Sequence, residues 1–296
     1  MLYTNTESGT FLQSQATSTH NTLHTRDRPL DGRRIALTWS AEHAQILTTY
    51  LEAAGALVTP LFASAIASAS DTGTLDAALS HVSRYDWVVL TNLAGVDALA
   101  GRLAALGLGA DACRHVYTAM LLPVTARAWE VAALPPQMVP ALVLADDIEM
   151  GLRDIAQKRI LLLRAEHTYD SLAAVLRQRG ADVDEVSAYR VVAHPVDGQS
   201  LHAAFGCDSA GAVICTSATT AEGLLAGFAA LGQPPAKVLR TTPIIALDEA
   251  GAVPLRHAGL APIVAAPSST LEDDSTISLQ LLLSVIVSAT NETRCE

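Results

Sequence analysis

Two short polar stretches, each placed directly after an apolar run, carry side chains that could bind a ligand. Thr91-Asn92 ends one such run, and Thr216-Ser217 ends another 125 residues later. Where a strand passes into a helix, hydroxyl and amide groups lie beside unpaired helix N–H groups, a setting that binds carboxylates and phosphates. The two stretches therefore predict two polar rims suited to an acidic ligand.

The same side chains also suit a purely structural role. Ser, Thr and Asn are preferred N-cap residues, and a cap stabilises its helix by about 1 kcal/mol. For any one of these residues, capping is the more common role. Their recurrence at equivalent positions is what favours a shared ligand, so both interpretations remain open on the sequence alone.

A repeat with a period of 125 residues indicates two related halves. The segment 34–37 returns at 159–162, and the Gly-Ala turn at 55–56 returns at 180–181. Short apolar runs without polar alternation are typical of parallel strands covered on both faces, with helices as the connections. We therefore predict an α/β protein with two doubly wound parallel-sheet domains, in which ligands bind beyond the carboxyl ends of the strands.

The positions of the elements follow from the same rhythm. We predict helices over 44–53 and over 277–287. The second segment is shorter than the roughly 20 residues that cross a bilayer, so it is interpreted as a core helix. The predicted strands cover residues 35–37, 57–61, 87–90, 115–119, 138–144, 160–163, 212–215, 243–247 and 263–265.

Composition narrows the classes of function. Of the 296 residues, 50% are hydrophobic, and the net charge is −11. Such a chain can form sizeable cores but is a poor partner for a nucleic-acid backbone. Residues 1–30, rich in Ser and Thr and without an apolar core, predict a disordered tail rather than a signal peptide. We expect a cytoplasmic protein with no nucleic-acid or membrane partner.

The cysteines do not indicate a metal site or a disulfide framework. Zinc sites and disulfide frameworks have characteristic spacings, such as paired C-x-x-C segments. The chain has no such pair, and we expect reduced thiols and no bound metal. The four cysteines are Cys113, Cys207, Cys215 and Cys295.

Several ordered segments resemble the uroporphyrinogen-III synthase family. They read Asp-Trp-Val-Val-Leu-Thr at 86–91, Pro-Val-Thr-Ala at 123–126, Gly-Ala-Asp-Val at 180–183 with Val-Ser-Ala-Tyr-Arg at 186–190, and Ile-Cys-Thr-Ser at 214–217. Each segment is loose and mostly apolar, so the specificity lies in the ordered set. The resemblance extends from about Gly32 to Leu283.

The resemblance implies two α/β domains joined by a two-stranded linker, with the active site in the cleft between them. Residues 31–60 and 195–290 would form the first domain, and residues 66–185 the second. Residues 61–65 and 186–194 would form the linker strands. We expect a monomer.

The implied activity is that of a lyase that cyclises hydroxymethylbilane to uroporphyrinogen III, with inversion of ring D and without metal or organic cofactor. Thr38, Thr125 and the two polar rims would bind the carboxylate arms of this linear tetrapyrrole. Tyr189 matches the family tyrosine that assists departure of the hydroxyl group, a task for a phenol that donates a hydrogen bond. Without the resemblance, Tyr189 would be interpreted as an ordinary strand aromatic.

The sequence departs from the family pattern at several polar positions. Trp39 replaces an arginine that usually follows the first strand's threonine, and Tyr169 replaces another expected after Arg164. Leu122 stands where a glycine precedes Pro123.

A further departure introduces two acids. The segment from Asp248 to Gly251 begins Asp248-Glu249, where the family has a hydroxyl-bearing turn. Carboxylates facing a polycarboxylate substrate would repel it, by about 1 kcal/mol per close pair in water. One alternative is therefore a catalytically silent relative that binds or regulates tetrapyrroles, and another is a two-domain binder of unrelated small molecules.

Overall fold

The computed structural model of the chain describes residues 28–39, 44–90, 93–120, 155–167, 172–206, 209–265 and 275–292. Two five-stranded sheets form its frame. The strands are β1 (Arg34–Trp39), β2 (Leu57–Phe62), β3 (Ser64–Ser68), β4 (Trp87–Leu90), β5 (Tyr117–Met120), β6 (Arg159–Ala165), β7 (Asp182–Ala193), β8 (Ala212–Cys215), β9 (Ile244–Ala246) and β10 (Ile263–Val264). The helices are α1 (Ala44–Ala53), α2 (Gly73–Ser80), α3 (Leu93–Ala105), α4 (Leu172–Gln178), α5 (Gly198–Phe205), α6 (Ala218–Ala230), α7 (Pro235–Val238), α8 (Glu249–His257) and α9 (Ser275–Glu292).

The first sheet has the strand order β10-β9-β8-β1-β2, and each neighbouring pair is parallel. Helices α5, α6 and α8 cover one face of this sheet, and α1 and α9 cover the other. Because both faces are covered, the strands carry apolar residues at nearly every position, as in Ala212–Cys215, where all four residues are buried. This sheet has the predicted doubly wound form.

The second sheet has the strand order β3-β7-β6-β4-β5. Helices α2 and α3 pack on one face and α4 on the other. The pairs among β4, β5, β6 and β7 are parallel, but β3 is antiparallel to β7. The prediction of wholly parallel sheets is therefore wrong at this edge. The chain enters the second sheet along β3 and leaves it along β7, so the two strands run in opposite directions.

The 125-residue repeat corresponds to a shared strand order. In the first sheet the order β2-β1-β8-β9 matches β7-β6-β4-β5 in the second. The repeated helix-to-strand turn also has one geometry, since Gly55 and Gly180 both adopt positive φ, 101° and 87°. Such angles favour glycine because a Cβ atom would clash with the backbone. A Cβ on Gly55 would also lie 2.8 Å from the Cα atom of Asp31.

Most predicted elements lie close to their observed positions. The strands predicted at 87–90 and 212–215 and the helix at 44–53 have the predicted bounds. The C-terminal helix α9 is longer than predicted. Strand β3 was not among the predicted strands, and the strand predicted at 138–144 lies outside the described residues. None of the helices within the described ranges combines the length and apolar character needed to span a membrane.

The predicted N-terminal tail ends close to the first sheet. Leu30 is fully buried in the core between that sheet and helices α1 and α9. Its backbone N–H donates to the carbonyl oxygen of Ala54 at 3.0 Å. Residues 28–33 therefore belong to the packed structure, whereas residues 1–27 lie outside the described part of the chain.

Candidate functional site

Two predicted ligand-binding threonines meet at the carboxyl ends of the central strands of the first sheet. The hydroxyl of Thr38, which is fully buried, donates to the carbonyl oxygen of Ile214 at 3.2 Å. It also accepts a hydrogen bond from the N–H of Thr216 at 3.1 Å. In return, the Thr216 hydroxyl donates to the carbonyl oxygen of Thr38 at 3.2 Å. These hydroxyls thus join β1 to the end of β8.

Ser217 caps helix α6 in a reciprocal arrangement with Thr220. The Ser217 hydroxyl oxygen accepts from the Thr220 N–H at 3.2 Å, and the Ser217 N–H donates to the Thr220 hydroxyl at 3.0 Å. This capping box satisfies helix N–H groups that would otherwise lack partners. The capping interpretation is therefore confirmed for Ser217, and a carboxylate binding at this helix start would compete with bonds already made.

The two acids of the altered turn are bound within their own helix. Asp248 is the N-cap of α8, and its carboxylate accepts from the Gly251 N–H at 2.7 Å. Glu249 forms an ion pair with Arg256 on the same helix. The hydrogen bond from Arg256 lowers the pKa of Glu249 below its usual value. Both carboxylates therefore have a structural role, and the guanidinium of Arg256 offsets the negative charge of Glu249.

Tyr189, the predicted catalytic residue, lies in the core of the second sheet. Its exposed fraction is 1%, and it belongs to the same buried cluster as Leu75 and Leu163. Its carbonyl oxygen accepts a hydrogen bond of 2.8 Å from the N–H of Glu166. A phenol that assists a leaving group must reach the substrate, and this conformation gives the ring almost no contact with solvent.

Polar contacts beside Tyr189 join three segments at the carboxyl end of the second sheet, a region that we call the second rim. Both carboxylate oxygens of Glu166 accept from Ser70, one from its N–H and one from its hydroxyl. These bonds, chiefly the backbone one, lower the pKa of Glu166 below its usual value. The Nε atom of Arg190 donates to the carbonyl oxygen of Ser68 at 3.1 Å. The end of β3 is thereby held against β6 and β7.

A buried cation lies at the end of β6. The side chain of Arg164 is 4% exposed, and its Nη1 atom lies 3.0 Å from a carboxylate oxygen of Glu185 on β7. Arg177 approaches the other oxygen of Glu185 at 4.0 Å. The sequence does not predict this ion pair, because a charged residue at the end of an apolar strand can be either buried or exposed.

The cysteine next to Thr216 is not suited to nucleophilic chemistry. Burial raises the pKa of Cys215 to about 12, against a smaller opposing effect of its hydrogen bond with Thr38. A thiol in that state is protonated near neutral pH, and the thiolate is the reactive form. Within the described part of the chain, no group of three or more His, Cys, Asp or Glu residues is placed to hold a metal ion.

The remaining predicted site residues lie outside the described residues. These are Thr91, Asn92 and Thr125, together with the altered positions Leu122 and Tyr169 and the side chain of Trp39.

A cavity of about 740 Å³ lies away from the predicted rims. Phe205, Phe228 and Leu231 give it an apolar lining, and His202 and Lys237 are polar groups at its wall. It is placed at the C-terminal end of α6, whereas Ser217 caps the N-terminal end. The cavity therefore does not join any of the predicted site residues.

The chain is similar in sequence to one family of known proteins. The family model for uroporphyrinogen-III synthase HemD matches residues 31–273. A uroporphyrinogen-III synthase of Synechococcus elongatus is 28% identical over 170 residues, a stretch that covers 55% of this chain and 62% of that relative.

Solved structures of the same family give low-scoring superpositions. For a mutant uroporphyrinogen III synthase of the extremely thermophilic bacterium Thermus thermophilus, the identity is 19%, the coverage is 88% of this chain and 100% of that chain, and the TM-score is 0.41. Uroporphyrinogen-III synthetase of Helicobacter pylori is 16% identical, with a coverage of 86% of this chain and 99% of that chain and a TM-score of 0.43. The match of the family model, which spans most of the chain and both sheets, shows that the chain belongs to the uroporphyrinogen-III synthase family.

Proposed function

We propose that this protein is a uroporphyrinogen-III synthase, a lyase that closes hydroxymethylbilane to uroporphyrinogen III with inversion of ring D. The observation that carries the proposal is the family match over residues 31–273, which includes both sheets and the strands that connect them. The Synechococcus relative bears that name, and the match covers 62% of its length. The proposed reaction needs no metal or organic cofactor, because its reactivity resides in the substrate.

The proposed chemistry begins with loss of the hydroxyl group of the substrate as water, which leaves a reactive azafulvene. The exocyclic carbon of the azafulvene then bonds to the substituted carbon of ring D and forms a spiro intermediate. The bond from that ring carbon to its original methylene bridge breaks, and the released methylene bonds to the unsubstituted carbon of ring D, which closes the macrocycle with ring D inverted. The proton given to the leaving hydroxyl is balanced by a proton lost when the ring regains aromaticity, so the net change is loss of one water. The protein's main task is to hold the chain in the shape that leads to ring closure.

In this proposal the phenol of Tyr189 donates a hydrogen bond to the leaving hydroxyl group. Because Tyr189 is 1% exposed, the ring has to be uncovered when substrate enters. Thr38, Thr91, Asn92, Thr125, Thr216 and Ser217 remain the proposed contacts for carboxylate arms. Of these, the hydroxyls of Thr38 and Thr216 already bond to each other's strands, so a carboxylate arm bound there has to displace these hydrogen bonds.

We also propose the division into two domains, 31–60 with 195–290 and 66–185, joined by linkers at 61–65 and 186–194. The composition of the buried clusters supports it. In the two clusters on the first sheet, every buried residue lies before position 64 or after position 195. In the two clusters on the second sheet, every buried residue lies between Leu75 and Tyr189. The proposed protein is a cytoplasmic monomer that acts on a small-molecule tetrapyrrole and binds neither nucleic acid nor membrane.

A second candidate function is favoured by the burial of the predicted site residues. Thr38 and Tyr189 are buried, and Ser217 serves as a helix cap. A catalytically silent member of the family that binds or regulates tetrapyrroles would have no need of an exposed phenol.

The isomer of the product tests the proposal. Purified protein is incubated with freshly prepared hydroxymethylbilane, and the uroporphyrinogen isomers are separated after oxidation. We expect isomer III in excess over a control with heat-denatured protein, in which spontaneous closure gives isomer I. Isomer I alone in both samples would refute synthase activity. Calorimetric titration with a linear tetrapyrrole then identifies the silent relative, which would bind without turnover.

A further inference from the structure

Helix α6 has two functions in the packing of the first sheet. Its N-terminus carries the Ser217 capping box at the predicted rim, and its middle packs on the two segments that run between the sheets. The helix therefore contacts both the first rim and the strands that lead to the second.

Two glycines of α6 make this close approach possible. A Cβ atom on Gly223 would overlap the carbonyl oxygen of Ala63 and would lie 2.5 Å from that of His194. A Cβ atom on Gly227 would lie 2.5 Å from the carbonyl oxygen of Val196. The neighbours are backbone atoms, which cannot rotate away as a flexible side chain can.

The two crossing segments are also bonded to each other and to the helix. The N–H of His194 donates to the carbonyl oxygen of Ala63 at 2.9 Å, and the N–H of Val196 donates to that of Gly223 at 3.2 Å. Ala63 and Val196 are buried in the same cluster as Phe228 of α6. The crossing thus belongs to the core of the first sheet.

From the crossing, a ladder of paired residues leads directly to Tyr189. Strands β3 and β7 pair in antiparallel register from Ser64 with Ala193 to Ser68 with Tyr189. The path from Ser217 to Tyr189 therefore consists of one helix, its glycine contact with the crossing and one short ribbon. Any displacement of α6 from the crossing changes the separation of the two rims.

We propose that Gly223 and Gly227 are positioning residues that fix the rim at Ser217 relative to the rim at Tyr189, by seating α6 directly on the backbone of the crossing strands. The functional part of this inference rests on the proposed synthase function. A merely tolerated glycine offers a contrast: a Cβ atom on Gly101 of α3 would have no neighbour within 4 Å. Since glycine is a poor helix former, two buried glycines in α6 need a compensating contact, and the crossing supplies it.

Hydrogen exchange of the unmodified protein tests the packing, whatever its activity. In residue-resolved exchange measured by NMR, we expect the amides of His194 and Val196 to exchange as slowly as those of Leu224 and Phe228 in α6. This result means that the crossing opens only when α6 does. Fast exchange at His194 and Val196 with protection retained in α6 would overturn the proposal.

Kinetics of glycine variants test the positioning role. Gly223→Ala and Gly227→Ala are compared with Gly101→Ala, the matched control. In folded protein we expect Gly223→Ala to raise KM about tenfold or more and to reduce the share of isomer III, because the rims no longer match the substrate. Gly101→Ala should have the same KM and the same share of isomer III as the unmodified protein.

The outcomes distinguish the packing of α6 on the crossing from its effect on the proposed reaction. A folded Gly223→Ala protein with unchanged KM and isomer ratio would refute the positioning role while leaving synthase activity intact. If the unmodified protein forms no isomer III, the synthase proposal fails and with it the functional part of this inference, whereas the exchange pattern still decides the packing. If neither variant folds, the exchange experiment alone decides.

Discussion

The carboxyl ends of the two sheets have the same strand order but different chemistry. At the first rim, Thr38, Thr216 and Ser217 form neutral hydrogen bonds to backbone groups and to Thr220. At the second rim, charged residues make the contacts: Arg164 pairs with Glu185, and Glu166 accepts from Ser70. A duplicated framework can therefore keep its topology while the two copies stabilise their strand ends by different means.

The difference also concerns how far each contact reaches along the chain. The caps at Ser217 and Asp248 bond to residues three positions away. The bond from Ser70 to Glu166 joins residues 96 positions apart, and it draws the end of β3 toward the end of β6. Local caps stabilise one helix, whereas the contacts of the second rim hold the edge of a sheet. Substitutions of the buried groups at the second rim, Tyr189 and the ion pair of Arg164, should therefore have larger effects than the loss of a cap at the first.

The largest expected effect is on catalysis at the second rim. If Tyr189 assists the leaving hydroxyl, Tyr189→Phe lowers kcat by about a hundredfold, a usual contribution of a positioned proton donor. Its unfolding free energy should change by only about 1 kcal/mol, since one hydroxyl is removed from the core. Steady-state kinetics and urea unfolding measure the two quantities.

Tyr85→Phe is the matched control for Tyr189→Phe. Tyr85 lies in the same buried cluster, and its hydroxyl donates to Asp184 at 2.7 Å. Burial, aided by that bond, raises the pKa of Tyr85 to about 12, so this phenol stays protonated at neutral pH. We expect Tyr85→Phe to lower stability without lowering kcat. Equal kcat for the two variants would mean that Tyr189 is a core residue only.

The second-largest effect is on the free energy of unfolding, and it compares two Arg–Glu pairs, one in each half of the chain. Glu185→Ala removes the carboxylate that faces the buried guanidinium of Arg164, and we expect a loss of about 2 kcal/mol in unfolding free energy. This figure is below the range for fully buried pairs because the Glu185 side chain is 36% exposed. Urea unfolding followed by circular dichroism measures the change.

Glu249→Ala is the comparison on the first half. It breaks the exposed pair with Arg256. Exposed pairs contribute little because water and salt screen them, so the urea midpoint should stay within error. A loss for Glu249→Ala as large as that for Glu185→Ala would contradict the contrast between the two halves.

A smaller effect is expected at the cap of α6. Ser217→Ala removes the side-chain oxygen that accepts from Thr220, and we expect a loss of about 1 kcal/mol in unfolding free energy. Ser284→Ala is the control, because Ser284 lies inside α9, is exposed and bonds to the preceding turn of its own helix. Alanine is the better helix former there, so this variant should be unchanged or slightly more stable. Thermal unfolding of both proteins makes the comparison.

The smallest effect is a pH dependence at the second rim. The pKa of Glu166 is lower in the folded protein than its usual value, chiefly because of the backbone hydrogen bond from Ser70. As the pH falls, the unfolded chain binds a proton first, so stability from this group is present above about pH 4.3 and is lost as the pH falls through the lower folded pKa. Glu166→Gln should therefore flatten the acid limb of stability against pH. Parallel curves for the two proteins would show that the bonds to Ser70 contribute nothing.

The sequence by itself determined most of the strands, the repeat and the family resemblance. Apolar spacing is a local property, and it located the strands 87–90 and 212–215 and the helix 44–53. The repeat in the sequence anticipated the equal strand order of the two sheets, because homologous segments keep their neighbours. The capping role of Ser217 was also foreseeable, since its partner lies three residues away.

Only the tertiary structure decided which polar groups are already used and which side chains are buried. The bond between Thr38 and Thr216, the burial of Tyr189 and the contact of Gly223 with Ala63 each join residues far apart in the chain or depend on the packing of several elements. Local periodicity contains no information about such distant partners. For that reason, the sequence predicted two polar rims, and the folded chain showed that the hydroxyls of the first are committed to its own backbone.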